Sequence, residues 1–136
     1  MRDCLFCKII RGEVPSNKVY EDDETLAFLD IRPVNPGHTL VVPKKHSIDI
    51  FEIEGPEWDA VMKTTRIVTH ALEKALSPDG VNLSMNNRAG AGQAVFHAHV
   101  HVMPRFENDG WKIWIGKQYA EGEATRVAEK IRARLS

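Results

Sequence analysis

The sequence carries no surplus charge of one sign. Eighteen Lys and Arg stand against nineteen Asp and Glu, leaving a formal net charge of −1. That balance argues against a protein held to nucleic acid by a large basic surface. No apolar run approaches the ~20 residues that span a bilayer, and the opening stretch MRDCLFCKIIRGE is too charged for a secretory signal. Cysteine is scarce: two residues in a C-x-x-C pair, without a secretion signal, fit a reducing cytoplasm better than a disulfide framework. There is no internal repeat and no low-complexity segment, and charge runs stay as short as EDDE at 21–24. What remains is an ordinary globular composition, 43% hydrophobic and 27% charged over 136 residues. A chain of that size buries roughly two-thirds of its unfolded surface in one core.

Along the chain, Lys8 to Arg11 suit a short helical turn stopped by Gly12 and Pro15. KVYE (18–21), TLAFLDI (25–31), HTLVVP (38–43), VNLSMN (81–86) and AVFHAHVHVM (94–103) read as strands, with Pro43 and Pro104 as their stops. Between Pro56 and Pro78, Trp58, Val61, Met62, Thr65, Val68, Leu72, Ala75 and Leu76 recur at helical spacing. A last helix is predicted around 124–135. The glycine-rich link NRAGAG (87–92) between the fourth and fifth strands implies an antiparallel hairpin. The class is α+β, with a largely antiparallel sheet of five strands and two main helices.

Three of the six histidines fall on alternate residues of the fifth strand: His97, His99 and His101. Alternation puts all three on one face, with Ala98, Val100 and Val102 on the other. Unpaired burial of three imidazoles is costly. A histidine-rich solvated face is one explanation. A metal shared along the strand is another, although His97 and His101 would stand roughly 13 Å apart at Cα. A catalytic face is the third: a neutral imidazole is a nucleophile at its free nitrogen. The small residues of NRAGAGQ (87–93), which let backbone amides approach an anion, favour it.

HAHVHVM (97–103) resembles the motif of the histidine-triad superfamily of nucleotide hydrolases and transferases. The likeness extends over CLFCKIIRGEVPSNKVYEDDETLAFLDI (4–31), PGHTLVVPKKH (36–46) and MNNRAGAGQAVF (85–96), in the family's order. It implies one histidine-triad domain over 1–136, with an N-terminal arm at 1–12 and a variable tail at 106–136. It also implies a five-stranded antiparallel sheet, two helices and a homodimer. His99 would attack the α-phosphorus of a purine nucleotide and form a nucleotidyl-histidine intermediate that water cleaves. His101 would donate to the phosphate, and His38 would support the triad. Asn86, Gly92, Gln93 and Ala94 would lie against the phosphate or leaving group. Asp30 would bind the ribose, and Phe6, Ile9, Leu29 and Ile31 would form the base slot, a core role remaining open for the apolar ones. Ala94 departs from the serine or threonine of many phosphoramidase members, which puts the leaving group in question.

The C-x-x-C pair lacks the preceding strand of a thioredoxin-like motif and reads better as half of a zinc site. The resemblance supplies the other half: Cys4, Cys7, His46 and His97 would hold a structural zinc, with no catalytic metal required. In that case His97, also a candidate for the catalytic set, is unavailable as a proton relay. Outside these motifs, His70, Lys44 and Lys45 read as surface residues, Trp111 and Trp114 as packing residues, and Arg105 as a possible contact to a polyphosphate tail. The implied substrates are purine nucleoside phosphoramidates or aminoacyl-adenylate-like compounds. Dinucleoside polyphosphates are the alternative, and a low-turnover nucleotide-binding scaffold is a further one. Neither nucleic acid nor membrane is expected as a partner.

Overall fold

The computed structural model describes residues 3–135. The elements follow in the order α1 (Leu5–Ile10), β1 (Lys18–Glu21), β2 (Thr25–Leu29), β3 (Thr39–Pro43), α2 (Gly55–Leu76), β4 (Gly80–Ser84), β5 (Val100–Arg105) and α3 (Glu123–Arg132). The strands form one sheet in the order β1-β2-β3-β5-β4, antiparallel at every pairing. The α+β class with a five-stranded antiparallel sheet is thus observed. No helix among the described residues is long and apolar enough to cross a membrane.

Local chemistry sets the turns. Between β1 and β2, Asp22 Oδ1 accepts from the backbone N–H of Glu24 and of Thr25, each at 2.8 Å. Such an Asx turn favours a tight reversal. Pro56 sits in the first turn of α2, where a missing N–H costs nothing.

The period-two alternation of the strands sorts side chains between two cores. Ala27, Val41, Val100 and Val102 meet Val61, Val68 and Leu72 of α2. On the opposite face, Leu26, Phe28, Leu40 and Val42 meet Phe6 and Ile9 of α1. Each such Val, Leu, Ile or Phe side chain, fully buried, contributes roughly 1.5–3 kcal/mol. α1 therefore lies on the sheet face opposite α2.

Several boundaries differ from the sequence reading. β5 begins at Val100 rather than 94 and runs through Pro104 to Arg105. Residues 94–99 leave the ladder: Ala98 N–H donates to Ser47 O at 2.7 Å. Pro104 is tolerated because β3 pairs with β5 only as far as Val102, so no ladder donor is needed on that side. β2 ends at Leu29, leaving Asp30 and Ile31 in the following loop. The expected turn at 8–11 is a six-residue helix starting at Leu5. Trp111 is about half covered, whereas Trp114 is 83% exposed and does not pack within this chain. α3 buries no residue.

Candidate functional site

His97, His99 and His101 do not act as one row, because each ring is held by different partners. Nδ1 of His99 lies 2.7 Å from the carbonyl oxygen of His97. A carbonyl only accepts, so Nδ1 carries the proton and Nε2 keeps its lone pair. The ring is 7% exposed, and the edge-to-face ring of Phe6 lies 5.1 Å away, centroid to centroid.

A second chain of bonds fixes His101. The backbone N–H of Val34 donates to His38 Nδ1 at 3.0 Å. His38 therefore carries its proton on Nε2 and donates it to His101 Nδ1, 2.9 Å away. His101 is left with its proton on Nε2. The His99 and His101 rings stand 5.1 Å apart. One offers a lone pair and the other a proton. His99 retains a small exposed fraction and His101 is half-buried.

Burial keeps these rings neutral, since desolvation disfavours the charged form. It pushes His101 down to about 4 and lowers His99 and His38. The Asp30 carboxylate opposes the shift; its Oδ2 lies 3.6 Å from His38 Nε2, and its Oδ1 accepts from Arg32 N–H at 2.8 Å.

The 86–93 loop follows β4, whose last residue Ser84 pairs with His101. Gly92 has φ 94°, a left-handed conformation that favours glycine. The Asn86 amide reaches Gly92 O at 3.5 Å. Gln93 is buried, and its amide is spent inside the protein. It accepts from Arg88 N–H at 2.7 Å and donates to Ile48 O at 2.6 Å and Val95 O at 3.1 Å. Its side chain braces the loop. Phe6 and Ile9 are core residues, Leu29 is half-buried, and Ile31 is 88% exposed. Arg105 is occupied by a two-point pair with Asp109, at 3.0 and 2.9 Å. His70 and Lys45 are on the surface, while Lys44 pairs with Glu21 at 2.9 Å.

Cys4, Cys7, His46 and His97 bring four ligand atoms within 4.8 Å of one another. Sulfur-to-nitrogen distances are 3.4 Å (Cys4–His97), 3.3 Å (Cys7–His46) and 3.6 Å (Cys7–His97). The two Nδ1 atoms of His46 and His97 are 3.2 Å apart. Around a tetrahedral zinc the corresponding edges are about 3.5 Å for S–N and about 3.3 Å for N–N. His97 Nε2 donates to Pro43 O at 2.7 Å, which turns the lone pair of Nδ1 towards the cluster. This is the outer-shell bond a metal-bound histidine needs. The residues present fit a zinc ion. Both ring nitrogens of His97 are thereby directed away from His99.

Three features lay beyond sequence reasoning: the carbonyl of Pro43, the amide of Val34 and the contact of Phe6 with His99. The first two are backbone atoms with no residue signature. Phe6 does have one, its place inside the C-x-x-C pair.

Residues 11–108 match the HIT domain family model. The chain is 50% identical over 113 residues to an uncharacterized HIT-like protein of Borreliella burgdorferi, covering 82% of this chain and 81% of that one. It is 45% identical over 107 residues to the adenylylsulfatase HINT3 of Arabidopsis thaliana, covering 79% of this chain and 54% of that one. A HIT family protein from Bacillus subtilis superposes with a TM-score of 0.92 at 38% identity, covering 98% of both chains. A zinc-bound histidine triad family protein from Mycobacterium smegmatis superposes with a TM-score of 0.78 at 32% identity, covering 98% of this chain and 99% of that one. The family-model match, the relatives and the superposed folds agree: the chain belongs to the HIT domain family.

Proposed function

We propose that this protein is a nucleotide hydrolase or nucleotidyltransferase that works through a covalent histidine intermediate. The observation that carries this reading is the pair of opposite tautomers. His99 presents a lone pair on Nε2 because its Nδ1–H is bonded to the His97 carbonyl. His101 presents an Nε2–H because its Nδ1 accepts from His38. His99 Nε2 attacks the α-phosphorus of a bound purine nucleotide, and the bond from phosphorus to the leaving group breaks. His101 donates to a phosphoryl oxygen as charge builds there. Water then cleaves the phosphorus–nitrogen bond and restores the imidazole. Asn86, the backbone at Gly92 and Gln93, and Ala94 border the phosphate. Asp30 binds the ribose hydroxyls, with Ile31 and Leu29 beside the base; Phe6 and Ile9 support that slot from the core.

An amine leaving group needs a proton, whereas a nucleotide or sulfate departs as an anion. We favour purine nucleoside phosphoramidates or aminoacyl-adenylate-like substrates. The similarity to an adenylylsulfatase and the methyl group at Ala94 support an anionic leaving group as the second reading. Comparison of kcat/KM for an adenosine phosphoramidate, adenylyl sulfate and a diadenosine polyphosphate separates the readings. Turnover of none of the three would favour a nucleotide-binding scaffold.

Cys4, Cys7, His46 and His97 would hold a zinc ion whose role is structural, tying the N-terminal arm to the sheet. Cysteines used as metal ligands and not in a disulfide accord with a reducing cytoplasm. A homodimer is supported by the edge strand β4, where Leu83 is 57% exposed, and by the uncovered Trp114 and Ile115.

A further inference from the structure

We propose that the four-ligand cluster sets the geometry of the nucleophile, so that metal occupancy tunes turnover instead of only holding the fold. This inference rests on the reading of His99 as nucleophile and of the cluster as a zinc site.

Two links join the cluster to His99, and they act from different directions. The first runs through His97. Its ring is fixed on one side by the cluster and on the other by Pro43 O at 2.7 Å. Its own carbonyl is the acceptor of His99 Nδ1–H at 2.7 Å. One residue thus offers a ligand atom through its side chain and sets the tautomer of the nucleophile through its backbone. The segment carrying it lies outside the β5 ladder. Its direction rests on these side-chain bonds and on Ala98 N–H to Ser47 O at 2.7 Å.

The second link runs through α1. Phe6 lies between the two cysteine ligands in sequence, and its ring packs edge-on against both His99 at 5.1 Å and His97 at 6.0 Å. Phe6 also meets Phe28 of β2 at 5.4 Å. Tethering Cys4 and Cys7 therefore holds a wall against the nucleophile. Without an ion the lone pair of His97 Nδ1 faces two sulfurs and a second imidazole nitrogen, an arrangement with no fixed charge to organise it. A cleft of about 430 Å³ lined by Cys4 and His46, together with Ala94 and Phe96, reaches the cluster from the surface.

His97 and Phe6 are positioning residues in this scheme. The test uses the full chain with ¹⁵N-labelled histidine, loaded with zinc or stripped by a chelator under a thiol reductant. Two-bond ¹H–¹⁵N correlations report the ring tautomers. Loaded protein should show His99 as a single Nδ1–H tautomer. Stripped protein should show mixed tautomers and a fall in kcat of roughly tenfold, with KM for the nucleotide unchanged. Zinc alone should restore both. An unchanged His99 tautomer and kcat after verified zinc loss overturns the proposal, as does failure of the cluster to take up zinc or cobalt.

Phe6→Leu covers the case in which stripping unfolds the chain. It keeps all four ligands and should retain zinc, yet broaden the His99 signals and lower kcat. Retention of wild-type His99 signals and kcat in Phe6→Leu would then overturn the coupling. The tautomer readout needs no turnover. Failure of the nucleophile assignment, seen as activity surviving in His99→Ala, is thus distinct from failure of the coupling.

Discussion

His38 and His101 stand with Nε2 and Nδ1 only 2.9 Å apart, and the backbone amide of Val34 behind them decides which way the proton points. A main-chain donor thus sets the tautomer of two side chains in succession. Replacing His38 with alanine removes the donor to His101 Nδ1 and frees that ring to adopt either tautomer. We predict a fall in kcat of roughly 10- to 100-fold with little change in KM, because the lost interaction acts on developing phosphoryl charge. Steady-state kinetics on a folded variant checks this.

The depressed histidines give a definite pH dependence. A group whose folded pKa lies below its unfolded value binds fewer protons when folded. Its stabilising effect is complete above the unfolded value near 6.5 and is lost as pH falls through the folded value. For His101 that window runs from about 6.5 to about 4. His97 in metal-free protein is pushed down to about 4 as well, by burial first. The melting temperature of metal-free protein should therefore fall between pH 6.5 and 4. The acid limb of kcat/KM should lie below the ordinary imidazole range, because burial lowers His99 too. A limb at or above 6.5 would contradict the neutral-ring assignment. Melting curves and pH–rate profiles measure the two effects.

Gln93 gives a test of the 86–93 loop as the proposed phosphate border. Its amide joins the loop to Arg88, Ile48 and Val95. Gln93→Leu leaves those backbone groups without their partner, each at a cost of about 1–3 kcal/mol where burial persists. We predict a lower melting temperature and a lower kcat together, since the same loop presents Gly92 and Asn86. Denaturation and kinetics on one preparation check both.

Leu26 is fully buried between the sheet and α1. Leu26→Ala should cost about 2–5 kcal/mol of stability by creating a cavity under Phe6. Chemical denaturation gives the value, and unchanged stability would mean that the α1 core has been misread.

Much of this was legible in the sequence, and the misses have physical causes. Alternation in 97–103 and the stripe from Trp58 to Leu76 specify the sheet face and the helix, because burial enforces those periods. The start of β5 was not legible. Residues 94–99 alternate like a strand, yet they bond to the loop at Ser47 and turn His97 towards the cysteines. Propensity cannot show which acceptor a segment will find. The family resemblance placed Gln93 against the phosphate, but only the three-dimensional contacts show that its amide is consumed within the loop. Trp111 and Trp114 suggested packing, and the chain by itself half-covers Trp111 and leaves Trp114 bare.

The central claim is that a covalent bond forms between His99 Nε2 and the α-phosphorus. Brief reaction with a substrate labelled at that phosphorus, acid-free quenching and mass mapping of the peptide bearing residues 94–105 test it most directly. Label on His99 in wild type, and none in His99→Ala despite retained nucleotide affinity, is the predicted result. Label on another residue, or turnover undiminished in His99→Ala, would contradict it.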